Sequence, residues 1–377
     1  MAAVPADDGF VLVVSLRKLD ATTTLFFTHV LRHAPRALRV VEFGESGVDG
    51  LLSRATAVIF VRGLFEFRGL PAYAQSLGIP AYYFIDDNFM VLRDQGGPNA
   101  RYVGSYSIEN VRAALRRFSG VLVASSPLME YFSTHQLHAR LTLYPPVMSE
   151  PLPAAVGGAG IGIAFFGGEH LREPFARMVL PAIRRLARRS PVTLIAVGLA
   201  PSIEPSDGLT IVHHRYDDSY SRGIATLHRD GVDVFVHVVD AALANSFYKN
   251  PHALISACSL GAVPAVSARA PYDHYCAASD VRCSYDSEES WFASLSALVN
   301  DEDLRVTLTS RLREYCTSNF SGVTNCAVID GILTRHRRPG AAIALSRRLR
   351  LTGFKLAQLV QRTWQRFGRG AMATRES

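Results

Sequence analysis

With 377 residues, the chain is too long for one ordinary hydrophobic core, and two domains of about 150 residues each are expected. Apolar residues make up 48% and charged ones 19%, which excludes a disordered chain, and no uninterrupted apolar run reaches the roughly 18 residues that a bilayer-spanning helix needs. The net charge of +7 sits at one end, where ten Lys plus Arg face one acid between His336 and Ser377; a nucleic-acid-binding face, which spreads cations over a folded surface, is therefore not expected.

The N-terminus, "MAAVPADDGF", is acidic and leads directly into "FVLVVS", unlike a secretory signal with its basic start and longer apolar stretch. The apolar runs "FVLVVS", "LRVVEF", "TAVIFV", "AYYFI" and "GVLVAS" have the length and β-branched content of parallel strands buried on both faces. Segments 21–34, 66–78 and 107–118 are long enough for crossover helices between them. The repeated strand–helix pattern implies a doubly wound sheet over 1–145. Residues 146–160, rich in Pro, Gly and Ala, read as an interdomain linker. A second series follows over 161–335: "IGIAFF", "VTLIAV", "LTIVHH", "VDVFVHV" and "AVPAVS", with helices at about 171–189, 219–230 and 250–260 and three more at 288–299, 301–317 and 322–335. The expected fold class is α/β, with two Rossmann-like domains facing each other across a cleft.

The tail, 336–377, fits a basic amphipathic helix. At 100° per residue Leu345, Leu349, Leu356, Leu359, Val360, Trp364 and Phe367 share one face, and Arg347, Arg348, Arg350, Lys355, Arg362 and Arg366 lie opposite. Such a helix can rest on an anionic membrane surface; packing on the body of the protein or an unstructured basic end are the other readings. The five cysteines, odd in number and without a C-x-x-C pair, suggest neither zinc nor a disulfide framework, and reduced thiols are expected. Together these point to a cytoplasmic protein, peripheral on the inner face of the cytoplasmic membrane.

Four stretches carry candidate chemistry. "YFIDDNFM" ends a first-domain strand with Asp86 and Asp87, a carboxylate pair able to bind a metal, orient an acceptor hydroxyl, act as a base or cap the next turn; Arg62 ends a neighbouring strand and can reach the same cleft on the acceptor side. "IAFFGGEHLREPF" places Gly167 and Gly168 in a turn whose backbone can approach a ligand, with Arg172 nearby for a phosphate or carboxylate. "IVHHRYDDSY" brings Arg215 and Tyr216 to the carboxyl end of a strand, where ligands of open α/β sheets collect; adjacent His213 and His214 point to opposite faces and make a poor metal pair. "NSFYKNPHALISACSLGAVPAVS" opens a helix with Asn245, Lys249, Asn250 and His252, donors and a cation suited either to capping or to holding a phosphate at the helix N-terminus. No P-loop and no nucleophile elbow occur.

From about residue 10 to 335 the chain resembles glycosyltransferases of the GT-B fold, in the broad family-4-like (group 1) class of bacterial polysaccharide and lipopolysaccharide enzymes. In that class a lysine is followed by an acid seven positions on, a glycine five further, then a proline and a short strand; Lys249, Ser256, Gly261 and Pro264 occupy those places. "FIDDNF" is similar to the class's "DIDD" stretch and "IAFFGG" to the opening of its donor domain.

The resemblance implies a nucleotide-diphosphate sugar held by the second domain, through Gly167, Gly168, Arg215, Tyr216, Asn245, Asn250, His252 and Ser256. It implies Lys249 and Arg172 facing the leaving diphosphate, and Asp86 and Asp87 beside the acceptor, with transfer to a polysaccharide or lipid-linked acceptor and neither a metal nor another cofactor. One departure stands out. The acid that usually holds the ribose hydroxyls is Ser256, and its partner eight residues earlier is Tyr248, so ribose contact is expected to be weaker or made elsewhere. That departure leaves a non-catalytic glycan- or nucleotide-binding partner protein as the alternative.

Overall fold

The computed structural model describes residues 9–67, 69–96, 102–152, 160–168, 171–198, 203–239, 244–269, 271–279 and 287–336, with single positions between 343 and 350. The ten apolar runs all form strands; the inner ones are buried on both faces, whereas Leu38–Glu42 and Leu209–His214, at sheet edges, keep exposed positions. In the first sheet β1 (Val11–Ser15), β2 (Leu38–Glu42), β3 (Ala57–Val61), β4 (Ala81–Ile85), β5 (Gly120–Val123) and β6 (Leu141–Leu143) are all parallel, in the order β2-β1-β3-β4-β5-β6. The second, also parallel, runs β11-β10-β7-β8-β9 from β7 (Ile161–Phe166), β8 (Val192–Val197), β9 (Leu209–His214), β10 (Val234–His237) and β11 (Val263–Val266).

The first order is flavodoxin-like and the second is that of a dinucleotide-binding half, so each sheet has one place where the winding reverses. These places lie between β1 and β3, and between β7 and β10. Loops leaving the carboxyl ends of strands at such a reversal diverge and open a crevice. Arg62 and the loop after β1 occupy the first crevice; Gly167 and the 244–250 segment occupy the second.

One hydrophobic core runs through both domains. Val11, Val13, Ile59 and Phe84 of the first sheet join Ile195, Phe235 and Val266 of the second through Tyr144, Val147 and the helices at 252–260 and 302–319. Helix Val323–Arg335, which the sequence places with the second domain, packs its Ile329 and Ile332 into this core against β1, and Asn325 donates to the Pro145 carbonyl at 2.9 Å. Backbone bonds from Met148 to Phe320 and from Val147 to Leu25 stitch the crossing further.

Tight packing makes specific glycines indispensable. A Cβ on Gly162, within β7, would stand 2.0 Å from the carbonyl oxygen of Gly231, whereas one on Gly331 meets nothing within 4 Å. Gly162→Ala is expected to cost about 3 kcal/mol by overpacking, and Gly331→Ala, in a helix interior, to be neutral or stabilising by up to about 1 kcal/mol. Urea denaturation of the two variants measures the contrast.

The tail differs from its helical-wheel expectation. Most of it lies outside the described residues, but Arg347, assigned to the basic outward face, is only 8% exposed. Its guanidinium donates to the carbonyls of Leu77 (2.9 Å), Ala55 (3.2 Å) and Gly78 (2.9 Å), just past the ends of helices Val48–Arg54 and Leu70–Ser76. A cation there meets the negative ends of two helix dipoles and their unpaired carbonyls. Leu349, on the apolar face of the wheel, is 67% exposed. Arg347→Ala is expected to lower stability by about 2 kcal/mol, read as a drop in Tm, because three charge-assisted bonds are lost. The thiol expectation is also corrected. Cys258, Cys316 and Cys326 are free but Cys276 is disulfide-bonded, a pairing that an odd count without a C-x-x-C signature does not announce.

Candidate active site

Asp86 and Asp87 leave the end of β4 and are buried together with Asn88, whose side-chain oxygen caps helix Phe89–Gln95 by accepting from the Val91 N–H at 3.1 Å. Arg62 leaves β3 with φ at +65°, a left-handed conformation that is costly for a long side chain. Two tyrosines hold it there, the Tyr83 and Tyr106 hydroxyls donating to its carbonyl at 2.6 and 3.1 Å. The turn directs its guanidinium at three partners: Asp87 Oδ2 at 2.6 Å, Asp86 Oδ1 at 3.2 Å and Thr22 Oγ1 at 3.0 Å. Thr22, in the helical turn Ala21–Thr23 that follows β1, in turn donates to Asp86 Oδ2 at 2.6 Å. The contact with Asp86 Oδ1 is an ion pair without hydrogen-bond geometry.

The second domain closes on this cluster. Lys249 Nζ lies 3.0 Å from Asp87 Oδ1, and Asn245 Nδ2 donates to the same oxygen at 2.9 Å. Asn245 Oδ1 accepts from the Asn88 backbone N–H at 2.7 Å, and Ser125 Oγ donates to the Tyr248 carbonyl at 2.5 Å. Nearer the rim, the Tyr220 N–H donates to the Leu19 carbonyl at 2.9 Å, and Arg17 pairs with Asp218 at 3.6 Å across solvent-exposed surface.

The two carboxylates, alike in sequence, differ in electrostatics. Burial is the largest influence on both and alone raises each. At Asp87 the Lys249 and Arg62 cations and the Asn245 bond outweigh burial and hold the group well below the usual carboxylate range. At Asp86 burial prevails over the Arg62 cation, with the Asp87 charge adding to it, and the pKa is raised. Arg62 is kept firmly protonated: burial opposes its charge, but the two aspartates more than offset that. The adjacent carboxylates therefore differ, Asp87 held low by two cations and an amide bond and Asp86 raised by burial.

The other expected residues fall into separate places. Gly167 and Tyr216 come together around Gly198, whose Cβ would stand 2.5 Å from the Gly167 carbonyl oxygen and 3.4 Å from the Tyr216 ring. Tyr216 is 56% exposed there, a free ring face at the carboxyl edge of the second sheet, with Phe166 beside it at 6.3 Å. Gly168 continues the same turn, its carbonyl accepting from the Leu171 N–H at 3.0 Å. Arg215 and Arg172 are exposed, the latter at the start of helix Arg172–Pro174.

Asn250 is buried next to Lys249, and His252 opens helix His252–Leu260 with its ring 4.8 Å from that of His237. Ser256 lies within the core at 1% exposure. Its hydroxyl meets the Tyr220 hydroxyl at 2.8 Å and donates to the His252 carbonyl at 2.8 Å, so both its bonding functions are used by the fold. Tyr248 packs its ring on Tyr131 of the first domain, 5.4 Å away. Thr22, Asn88, Tyr83 and Tyr106 were not foreseen; a polar "DATTT" run directly after a buried strand is the signal that marks Thr22. Among the described residues no three His, Cys, Asp or Glu side chains converge as a metal-ligating group.

Two doubly wound domains whose crevices face each other define the GT-B fold of glycosyltransferases, and solved structures of that fold align over most of the chain. An alpha-glucosyltransferase in complex with UDP and a 13-mer DNA containing an HMU base is 10% identical, covering 86% of this chain and 100% of its own, with a TM-score of 0.59. Sucrose-phosphate synthase from Thermosynechococcus elongatus is 11% identical over 86% of this chain and 100% of its own, at 0.55. WaaG, a glycosyltransferase involved in lipopolysaccharide biosynthesis, is 12% identical over 86% and 99%, at 0.53. The likeness is one of fold. No protein-family model and no curated protein sequence matches the chain.

Proposed function

We propose that this chain transfers a hexosyl group from a nucleotide-diphosphate sugar to a glycan or lipid-linked acceptor. The observation that carries the reading is the junction of the two crevices, where an aspartate pair and an arginine meet a lysine across the interdomain line. In the proposed reaction the acceptor oxygen forms a bond to the anomeric carbon while the bond from that carbon to the diphosphate oxygen breaks. The diphosphate leaves with the electron pair, and Lys249 stabilises the charge it gains. Asp86 takes the proton of the attacking hydroxyl, and Asp87 orients Arg62, Asn245 and Lys249 around it.

Lys249 pairs with Asp87, so a diphosphate that reaches its ammonium shares or displaces that carboxylate, which couples donor binding to the contact between domains. The turn at Gly167–Gly168 and the exposed Tyr216 ring suit a nucleotide, the ring as a stacking face for the base. Ser256 is committed to the core, so the ribose hydroxyls find other partners. The solved neighbours that carry UDP make it the first nucleotide to try.

Titration calorimetry with UDP, GDP and dTDP and their hexose conjugates tests the reading, followed by assay for sugar release or transfer. Donor binding without turnover would instead favour the binding-partner alternative, and no binding at all would refute both. For the tail, we propose contact with an anionic membrane surface, supported by its cationic surplus and by the exposed Ile343 and Leu349. Deleting 351–377, which retains the Arg347 anchor, is expected to release the protein from anionic vesicles in a flotation assay; unchanged flotation removes that role. Among the described residues no helix is long and apolar enough to cross a membrane.

A further inference from the structure

Arg62 is held at its carbonyl as well as at its guanidinium. The Gly63 N–H donates to the Val61 carbonyl at 2.8 Å, so a long side chain stands at the centre of a three-residue turn with φ at +65°, the rare and strained form. Such a conformation persists only where its surroundings enforce it. Three donors crowd the Arg62 carbonyl: the Leu64 N–H at 2.7 Å, the Tyr83 hydroxyl at 2.6 Å and the Tyr106 hydroxyl at 3.1 Å. Both tyrosines are buried. Tyr106 also supports the side chain, because its ring meets Phe89 edge to face at 4.8 Å, and the Arg62 guanidinium lies over the Phe89 ring at 5.2 Å.

Tyr106 has a second acceptor within reach. Glu66 Oε2 stands 3.2 Å from the Tyr106 hydroxyl and accepts the Phe65 N–H at 3.1 Å. A phenol has one proton, and a carboxylate is a stronger acceptor than a carbonyl. The exposed Glu66 therefore competes with the Arg62 carbonyl for that proton. We propose that Tyr83, Tyr106 and Glu66 are positioning residues that act through Arg62. The two phenols hold its strained carbonyl so that its guanidinium faces Asp86 and Asp87, and Glu66 slackens that hold from the surface. Asp86 registers the difference. Burial raises its pKa most, and among its neighbours Arg62, Asp87, Thr22 and Lys249 the Arg62 cation does most to lower it. Loosening Arg62 therefore lets the Asp86 pKa rise further, and tightening it does the reverse.

The test follows the Asp86 carboxyl by carbon-13 NMR in the full chain labelled at aspartate, with Asp86→Asn assigning the signal. Tyr83→Phe and Tyr106→Phe, which keep the rings, are each expected to move the Asp86 titration to higher pH. In an Arg62→Ala background Tyr106→Phe is expected to add nothing, since its route to Asp86 is gone. Glu66→Gln, a surface change that carries the test should a tyrosine variant not fold, is expected to move the titration to lower pH. That effect should vanish in the Arg62→Ala background, where a charge acting on Asp86 through space would persist. The consequence for turnover rests on the glycosyl-transfer reading above: the tyrosine variants should lose about 10- to 100-fold in kcat with little change in donor KM. A lower Tm with the Asp86 titration unmoved would overturn the inference, as would equal shifts with and without the Arg62 side chain. The titrations need no substrate, so they decide this inference even where the chain transfers no sugar and that reading fails.

Discussion

Replacing Lys249 with alanine is expected to lower kcat/KM for the donor about 100- to 1,000-fold, the size of effect seen when one group that stabilises developing charge is removed. The fold should survive, because Asp87 keeps Arg62 at 2.6 Å and Asn245 at 2.9 Å after the ammonium is gone. Steady-state kinetics beside a thermal melt separates the two quantities. A variant with parental kcat/KM would move the diphosphate site away from this junction. Arginine is not expected to restore full activity, since a planar fork replaces a compact point charge in a space shared with Asp87.

Asp86→Asn is expected to lower kcat about 100- to 10,000-fold while donor affinity changes little, the range for loss of a positioned general base. Its neighbour provides the control, because Asp87 is an anchor and its loss should damage binding and stability together. Breaking a buried ion pair by removing one member costs about 3–5 kcal/mol, reduced here because Lys249 and Arg62 retain some contact with water. The pH profile gives a second reading. Asp86 must be ionised to accept a proton and its pKa is raised, so the acid limb of kcat/KM should lie above the usual carboxylate range and vanish in Asp86→Asn.

Stability runs the opposite way for the two groups. Asp87, depressed in the folded state, contributes stability above the unfolded carboxylate pKa that is lost as pH falls through its folded value. Asp86, raised in the folded state, costs stability at neutral pH, and that cost is relieved as pH falls. A kcat in Asp86→Asn equal to the parent's would mean that the departing diphosphate, not this carboxylate, takes the proton.

Both sheets are legible in the sequence because inner strands buried on both faces leave continuous apolar runs, and ten of the eleven strands among the described residues carry such a run, the partly exposed edge strands β2 and β9 included. The eleventh, β6, has only three residues, "LTL", all of them half-buried, and leaves too short a pattern to register. The members of the site could also be named: Asp86, Asp87, Arg62, Asn245 and Lys249 end or follow buried strands, where polar residues stand out. Their pairing could not. That Lys249 meets Asp87 across 162 positions depends on how two domains dock, and no local periodicity encodes docking. Ser256 illustrates the limit from the other side. Its alignment with a family position suggested a ligand contact, while the neighbour that claims its hydroxyl, Tyr220, lies 36 residues upstream on a different helix.

The Arg347 clamp bears on how the molecule is made. A ribosome delivers Ala55, Leu77 and Gly78 long before it delivers the guanidinium that joins them, and the helix covering β1 also emerges late, at 323–335. The first domain, which ends near residue 145, therefore waits through the synthesis of about 180 further residues before Ile329 and Ile332 join Phe26 and Phe27 over β1, at about 5–20 residues per second. Termination before residue 323 removes the part of that cover which Ile329 and Ile332 supply.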